Sequence, residues 1–139
     1  MFDDSYLVSY KSFETGTGVI NVMKVDSSNK ATVKSSRSNA QDLYHVVTLN
    51  QETGLFVTIS QATTKGATTA VIAGKVDKAN SYAITYGSET VYSFPAAYSF
   101  DPSITALSAT TFAIAFYGGT PLTCYTRWGK SVDSTELTV

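Results

Sequence analysis

The only histidine, His45, and the only cysteine, Cys124, are where a search for chemistry in this 139-residue chain begins. As a general base, His45 would need a nucleophile and an orienting carboxylate within hydrogen-bond reach. Asp42 is close in sequence, but His45 opens a run that reads as a strand, where successive side chains point to opposite faces. His45 therefore reads as a polar residue at a strand edge. One His and one Cys are too few soft ligands for zinc, and a lone Cys allows no internal disulfide. Asp3, Asp4 and Asp101 lack the Asp-x-Asp-x-Asp-Gly spacing that gathers oxygens around calcium, and Asp101-Pro102-Ser103 reads as a turn. Glu52 and Glu89 are of the type used as a glycosidase acid and base, with nothing to set them across a cleft. Gly16-Thr17-Gly18 and Gly118-Gly119 lack a phosphate-loop signature and read as hairpin turns. No catalytic residue, metal site or cofactor is expected, and the chain reads as a non-enzyme.

What remains is aromatic. Tyr125-Thr126-Arg127-Trp128 sets rings beside a guanidinium, a combination that recognises sugars or protein partners by stacking and cation–π attraction. Tyr125, Arg127 and Trp128, with Tyr10 and Tyr86, are the candidate ligand-binding residues. The competing reading is that Trp128 fills apolar space between packed units, and the sequence favours it.

Composition narrows the class. Charged residues make up 15% and the net charge is −1, so the densest basic cluster, Lys30, Lys34 and Arg37, is too sparse for the basic stripe of a nucleic-acid binder. Ser and Thr supply roughly a quarter of the chain, with nine Tyr, which suits pleated, half-exposed strands better than helices. No apolar run approaches the roughly 18 residues of a membrane span, and the first residues show no signal-peptide pattern.

The elements that must position these residues are short strands. Apolar runs recur at Tyr6–Tyr10, Val19–Met23, more weakly Ala31–Val33, His45–Leu49, Leu55–Ile59, Thr69–Ala73, Tyr82–Tyr86, Ser103–Leu107, Phe112–Phe116, Leu122–Thr126 and Leu137–Val139. A Lys followed by an Asp closes the same strand three times, in Met23-Lys24-Val25-Asp26, Gly74-Lys75-Val76-Asp77 and Gly129-Lys130-Ser131-Val132-Asp133. Lys24 to Lys75 is 51 residues and Lys75 to Lys130 is 55. A period of about 50 residues with four strands per unit is the size of a propeller blade. The expected fold is all-β, with antiparallel four-stranded blades forming a partial β-propeller of about three repeats, and a β-sandwich or barrel as the alternative. The chain reads as one repeat domain over 1–139, with units at about 1–41, 42–94 and 95–139. Phe112–Phe116, apolar throughout, suggests a strand covered on both faces.

Thr69–Val76 and Tyr82–Phe94, together with Ser103–Phe116, resemble a repeat of large bacterial and algal surface proteins. The resemblance is clearest from about Leu49 to Phe116. It implies propeller blades and no defined activity. The first unit starts at the place of a blade's second strand, and about three units are too few to close a ring. Bare faces beside Tyr6–Tyr10 and Phe112–Phe116 would then need covering by other subunits, by copies of the same chain, or by further sequence. The expected function is a non-catalytic structural or interaction module of a larger assembly, such as a surface layer, an appendage or a virion-like particle. The alternative is a carbohydrate-binding, lectin-like propeller. Either implies an extracellular or surface setting.

Overall fold

A computed structural model describes residues 5–39, 42–62, 68–92, 100–118, 123–131 and 137–138. Within them the chain is all-β, with no helix. The strands are β1 (Ser5–Lys11), β2 (Gly18–Val25), β3 (Ala31–Asn39), β4 (Asp42–Asn50), β5 (Leu55–Ala62), β6 (Thr68–Asp77), β7 (Ala83–Tyr92), β8 (Phe100–Ala106), β9 (Thr111–Gly118), β10 (Thr123–Ser131) and β11 (Leu137–Thr138). They form three antiparallel sheets, ordered β1-β2-β3, β4-β5-β6-β7 and β8-β9-β10-β11, here called sheets 1, 2 and 3.

Side chains capping the turns explain why the chain reverses where it does. Asp26 Oδ1 accepts from the amides of Ser28 and Lys30 between β2 and β3. Asp77 Oδ1 accepts from Ala79 and Asn80 at the corresponding turn of sheet 2. Asn50 Oδ1 and Ser108 Oγ do the same work before β5 and β9. These short polar side chains bond the backbone locally and so favour turns over ladder continuation. Gly16 and Gly54 adopt positive φ, 66° and 74°, within the loops before β2 and β5.

Sheet 2 is the centre of the molecule because both of its faces are covered. On one face Phe56, Val76 and Ile84 pack against Ile20 and Val22 of sheet 1, with Leu7, Val46, Tyr82 and Tyr86 at the margin. On the other, Leu55, Val57, Ile59, Val71 and Ala73 pack against Phe112, Ile114 and Phe116 of sheet 3. Alternation along β5 thus sends Phe56 to one neighbour and Leu55, Val57 and Ile59 to the other, and Leu55 through Ile59 are all buried. The sheets splay. β1 lies alongside β4 and β4 alongside β8, whereas β7 meets β3 and β11 only sparsely.

Three local expectations change. Phe112–Phe116 is covered on one face: Phe112, Ile114 and Phe116 are buried against sheet 2, while Ala113 and Ala115 stay half-buried on the other side. The small alanines, not a second neighbour, account for its uniformly apolar look. Asp101-Pro102-Ser103 lies inside β8, at a register shift between Phe100 and Ser103. Proline has no amide to give the ladder, and β8 is a strand at the edge of sheet 3, where that loss is tolerated. The weak run at Ala31–Val33 extends to the nine-residue β3, because pairing with β2 overrides the low apolar content of Lys34–Ser38.

The same packing device recurs in two sheets. Phe56 pairs in register with Gly74, and Phe112 with Gly129. A Cβ placed on either glycine would overlap the phenylalanine ring lying across it. The rings are fully buried, so neither can swing away. Two outcomes are expected in denaturant unfolding. Phe112→Ala should cost about 3–5 kcal/mol from lost transfer energy and cavity formation; a loss under roughly 1 kcal/mol, the surface scale, would place that strand in solvent. Gly74→Ala should cost about 1–3 kcal/mol through overpacking, and Phe56→Leu in the same chain should recover part of it; strict additivity would mean the two do not touch.

Candidate interaction surfaces

Register and alternation give sheet 1 two unlike faces. Its inner face, with Leu7, Ile20 and Val22, is the one against sheet 2. Its outer face carries Tyr6, Val8 and Tyr10, at every second position of β1 and 54%, 39% and 44% exposed. Their partners across β2 are Met23, Asn21 and Val19, and Val33 of β3 continues the row from Met23. Val33 is also exposed, and Phe13, in the adjoining loop, is wholly so. Asn21 Oδ1 is buried here with no hydrogen-bond partner among the described residues. Scattered exposed apolar residues are ordinary, whereas these lie in one row on one face, which makes that face a candidate interaction surface.

At the other end of the stack, the outer face of sheet 3 is hollow. A shallow, mostly apolar depression of about 140 Å³ is lined by Ser103, Thr105, Ala113, Ala115 and Thr126, with Ile104 and Ile114 below. A more polar depression of about 320 Å³ lies beside the turns of sheet 2, lined by Glu52, Lys75, Asp77 and Lys78 among others. It gathers charges of both signs.

Of the candidate ligand residues, the side chains of Tyr10 and Tyr86 are described, and they lie on different faces. Tyr10 is on the outer face of sheet 1. Tyr86 sits between sheets 1 and 2, edge-on to Phe56 with ring centroids 6.0 Å apart and planes at 80°. Tyr125, Arg127 and Trp128 are on β10, paired in register with Phe116, Ile114 and Ala113; their side chains lie outside the described residues. His45 is exposed on β4, and Cys124 is an exposed free thiol. Among the described residues no group of three His, Cys, Asp or Glu converges, and no helix is long and apolar enough to cross a membrane. The side chains of Asp42, Glu89 and Asp101, and all of Asp3 and Asp4, are outside the described residues.

Arg37, the last of the sparse basic cluster, has a structural use that composition does not reveal. From β3 it crosses to sheet 2, donating from Nη1 to the Ile84 carbonyl at 2.6 Å. Its guanidinium carbon stands 5.2 Å from the Tyr86 ring centroid. A planar cation over an aromatic face, also bonding a backbone carbonyl, clips the outer strands of two sheets together. Its only sequence signal is a lone Arg among serines on a strand edge.

Burial pushes the Tyr86 phenol up to about 12, against a weaker opposing pull from the Arg37 charge. The raised value means that the folded chain keeps a proton between pH 10 and 12 that the unfolded chain has released. This contribution to stability is complete below about pH 10 and is lost as pH rises towards 12. Absorbance titration at 295 nm of the parent minus Tyr86→Phe should give a difference curve centred near pH 12. A difference midpoint near 10 would mean that the ring is in solvent.

The chain matches no protein-family model, no curated protein and no solved structure.

Proposed function

We propose that this chain is a non-catalytic structural or interaction module of a larger assembly, made of about three blades of a partial β-propeller. The observation that carries this reading is the exposed Tyr6, Val8 and Tyr10 face at one end of a stack whose interior sheet is covered on both sides. Several features support a blade repeat. Each sheet is a meander of consecutive strands, and each falls within one of the three sequence units. Phe56 on Gly74 is matched by Phe112 on Gly129. The Asp26 turn is matched by the Asp77 turn, and the hydroxyls of Thr32 and Thr85 both reach back to the carbonyls of the equivalent lysines, Lys24 and Lys75. The tight inner and sparse outer approach of the sheets suits wedge-like packing around an axis. A hydroxyl-rich, weakly charged surface fits a surface layer, an appendage or a particle coat.

The glycan-binding alternative is favoured by the exposed Tyr6 and Tyr10 rings, since open aromatic faces stack on sugars. Glycan-array binding abolished by Tyr10→Ala or Trp128→Ala would establish it in place of the structural reading.

Light scattering on the isolated chain across a range of concentrations tests the main reading. A mass above the 14.9 kDa of one chain is expected. A compact monomer at every concentration, unfolding in one cooperative step, contradicts the reading and favours a self-sufficient sandwich or barrel.

A further inference from the structure

The pairing registers of the three sheets can be laid over one another. Lys24 faces Ser5, Lys75 faces Leu55 and Lys130 faces Thr111 across their ladders. The next residue along each inner strand is therefore Tyr6, Phe56 and Phe112, and the alternate positions continue as Val8, Thr58 and Ile114, then Tyr10, Ser60 and Phe116. On sheet 3 this row is Phe-Ile-Phe, at most 1% exposed, because the outer side of sheet 2 covers it. On sheet 2 the row's Phe56 is covered by sheet 1. On sheet 1 the row is Tyr-Val-Tyr, of the same shape and alternation, and it is exposed.

The receiving face can be matched in the same way. Sheet 2 receives Phe112, Ile114 and Phe116 with Val57, Ile59 and Val71. By register the equivalents on sheet 3 are Ala113, Ala115 and Thr126, and these line the outer depression. Ala113 and Ala115 are smaller than Val57 and Ile59, and Thr126 matches Val71 in shape, so the receiving surface is hollower. The row it would accept reaches further at its two ends, where each Tyr carries a hydroxyl that Phe lacks, while Val8 is one methylene smaller than Ile114. Ser103, Thr105 and Thr126 put hydroxyls around the hollow, and these can pair with the phenol oxygens that Phe lacks. Tyrosine also suits a surface that is wet before assembly and covered after it.

From this correspondence we infer that the chain assembles head to tail with a second copy of itself, the Tyr6-Val8-Tyr10 row of one copy seated in the Ala113-Ala115-Thr126 hollow of the next. The inference rests on the proposed structural role and names its partner and its two surfaces. The contact continues the stacking already made twice inside the chain, sheet 1 on 2 and sheet 2 on 3. Its two sides differ, so it is heterologous and extends to closed rings or open filaments.

A mixing experiment tests it. Tyr10→Arg spoils the row and Thr126→Arg spoils the hollow; both positions are exposed, so circular dichroism and unfolding midpoints should match the parent, and Tyr6→Arg serves if Tyr10→Arg does not fold. Each variant alone should be monomeric by sedimentation, with self-association weakened at least about tenfold, as for the loss of a central anchor. Mixed, they should form a one-to-one heterodimer, because one intact row then meets one intact hollow and the two arginine surfaces repel. Assembly of the parent that survives both variants overturns the head-to-tail inference and leaves the structural role standing. Loss of assembly in only one of the two variants points to a like-on-like contact through that surface and overturns it, as do variants that are monomeric and stay so when mixed. A parent that is monomeric throughout overturns both.

Discussion

The structure depends on one constraint: a sheet with two apolar faces must be covered twice. Sheet 2 meets it by lying between two others. β5 shows the consequence most clearly, with Phe56 turned to one neighbour and Leu55, Val57 and Ile59 to the other. Apolar surface removed from water is worth roughly 25 cal/mol per Å², and these two contacts gather most of the buried apolar side chains. Backbone ladders satisfy the polar groups of each sheet, yet they do nothing to hold one sheet against the next. That falls to side chains alone.

The glycines and the arginine refine this stacking. Gly74 and Gly129 leave room for a ring to lie across the ladder, so Phe56 and Phe112 keep the sheets close without a rotamer clash. At the opposite edge, where β3 and β7 meet only sparsely, apolar contact is replaced by the Arg37 clip over Tyr86. The chain thus uses dry packing where the sheets converge and a polar clamp where they part. Desolvation of Tyr86 is the cost of bringing that clamp to the margin of the core.

Much of this was legible in the residues. Short apolar runs ended by Gly, Asp, Asn and Ser mark most strands, because the local turn chemistry agrees with the pairing. The Gly74-Lys75 and Gly129-Lys130 spacing marks equivalent ladder positions. Other features depend on what a strand meets after folding. Phe112–Phe116 reads as buried on both sides because alanine looks apolar whether covered or bare. β3 reads as short because Lys34–Ser38 carries no alternation, and only its pairing with β2 makes it a strand. Arg37 looked like part of a diffuse basic cluster, and Tyr86 like a surface ring, until the fold set one over the other. The Tyr6–Tyr10 run is visible in the residues, but the register it shares with Phe112-Ile114-Phe116 emerges only once each strand is paired.

Amide hydrogen exchange resolved by residue tests the double coverage of the central sheet most directly. If sheet 2 is enclosed on both faces, amides of β5 and β6 exchange only through global unfolding and are the slowest in the chain. Those of β3, an outer strand with mostly exposed side chains, exchange by local opening and faster. Exchange in β5 as fast as in β3 would mean that one face of sheet 2 is open to water, and the stacking described here would be wrong.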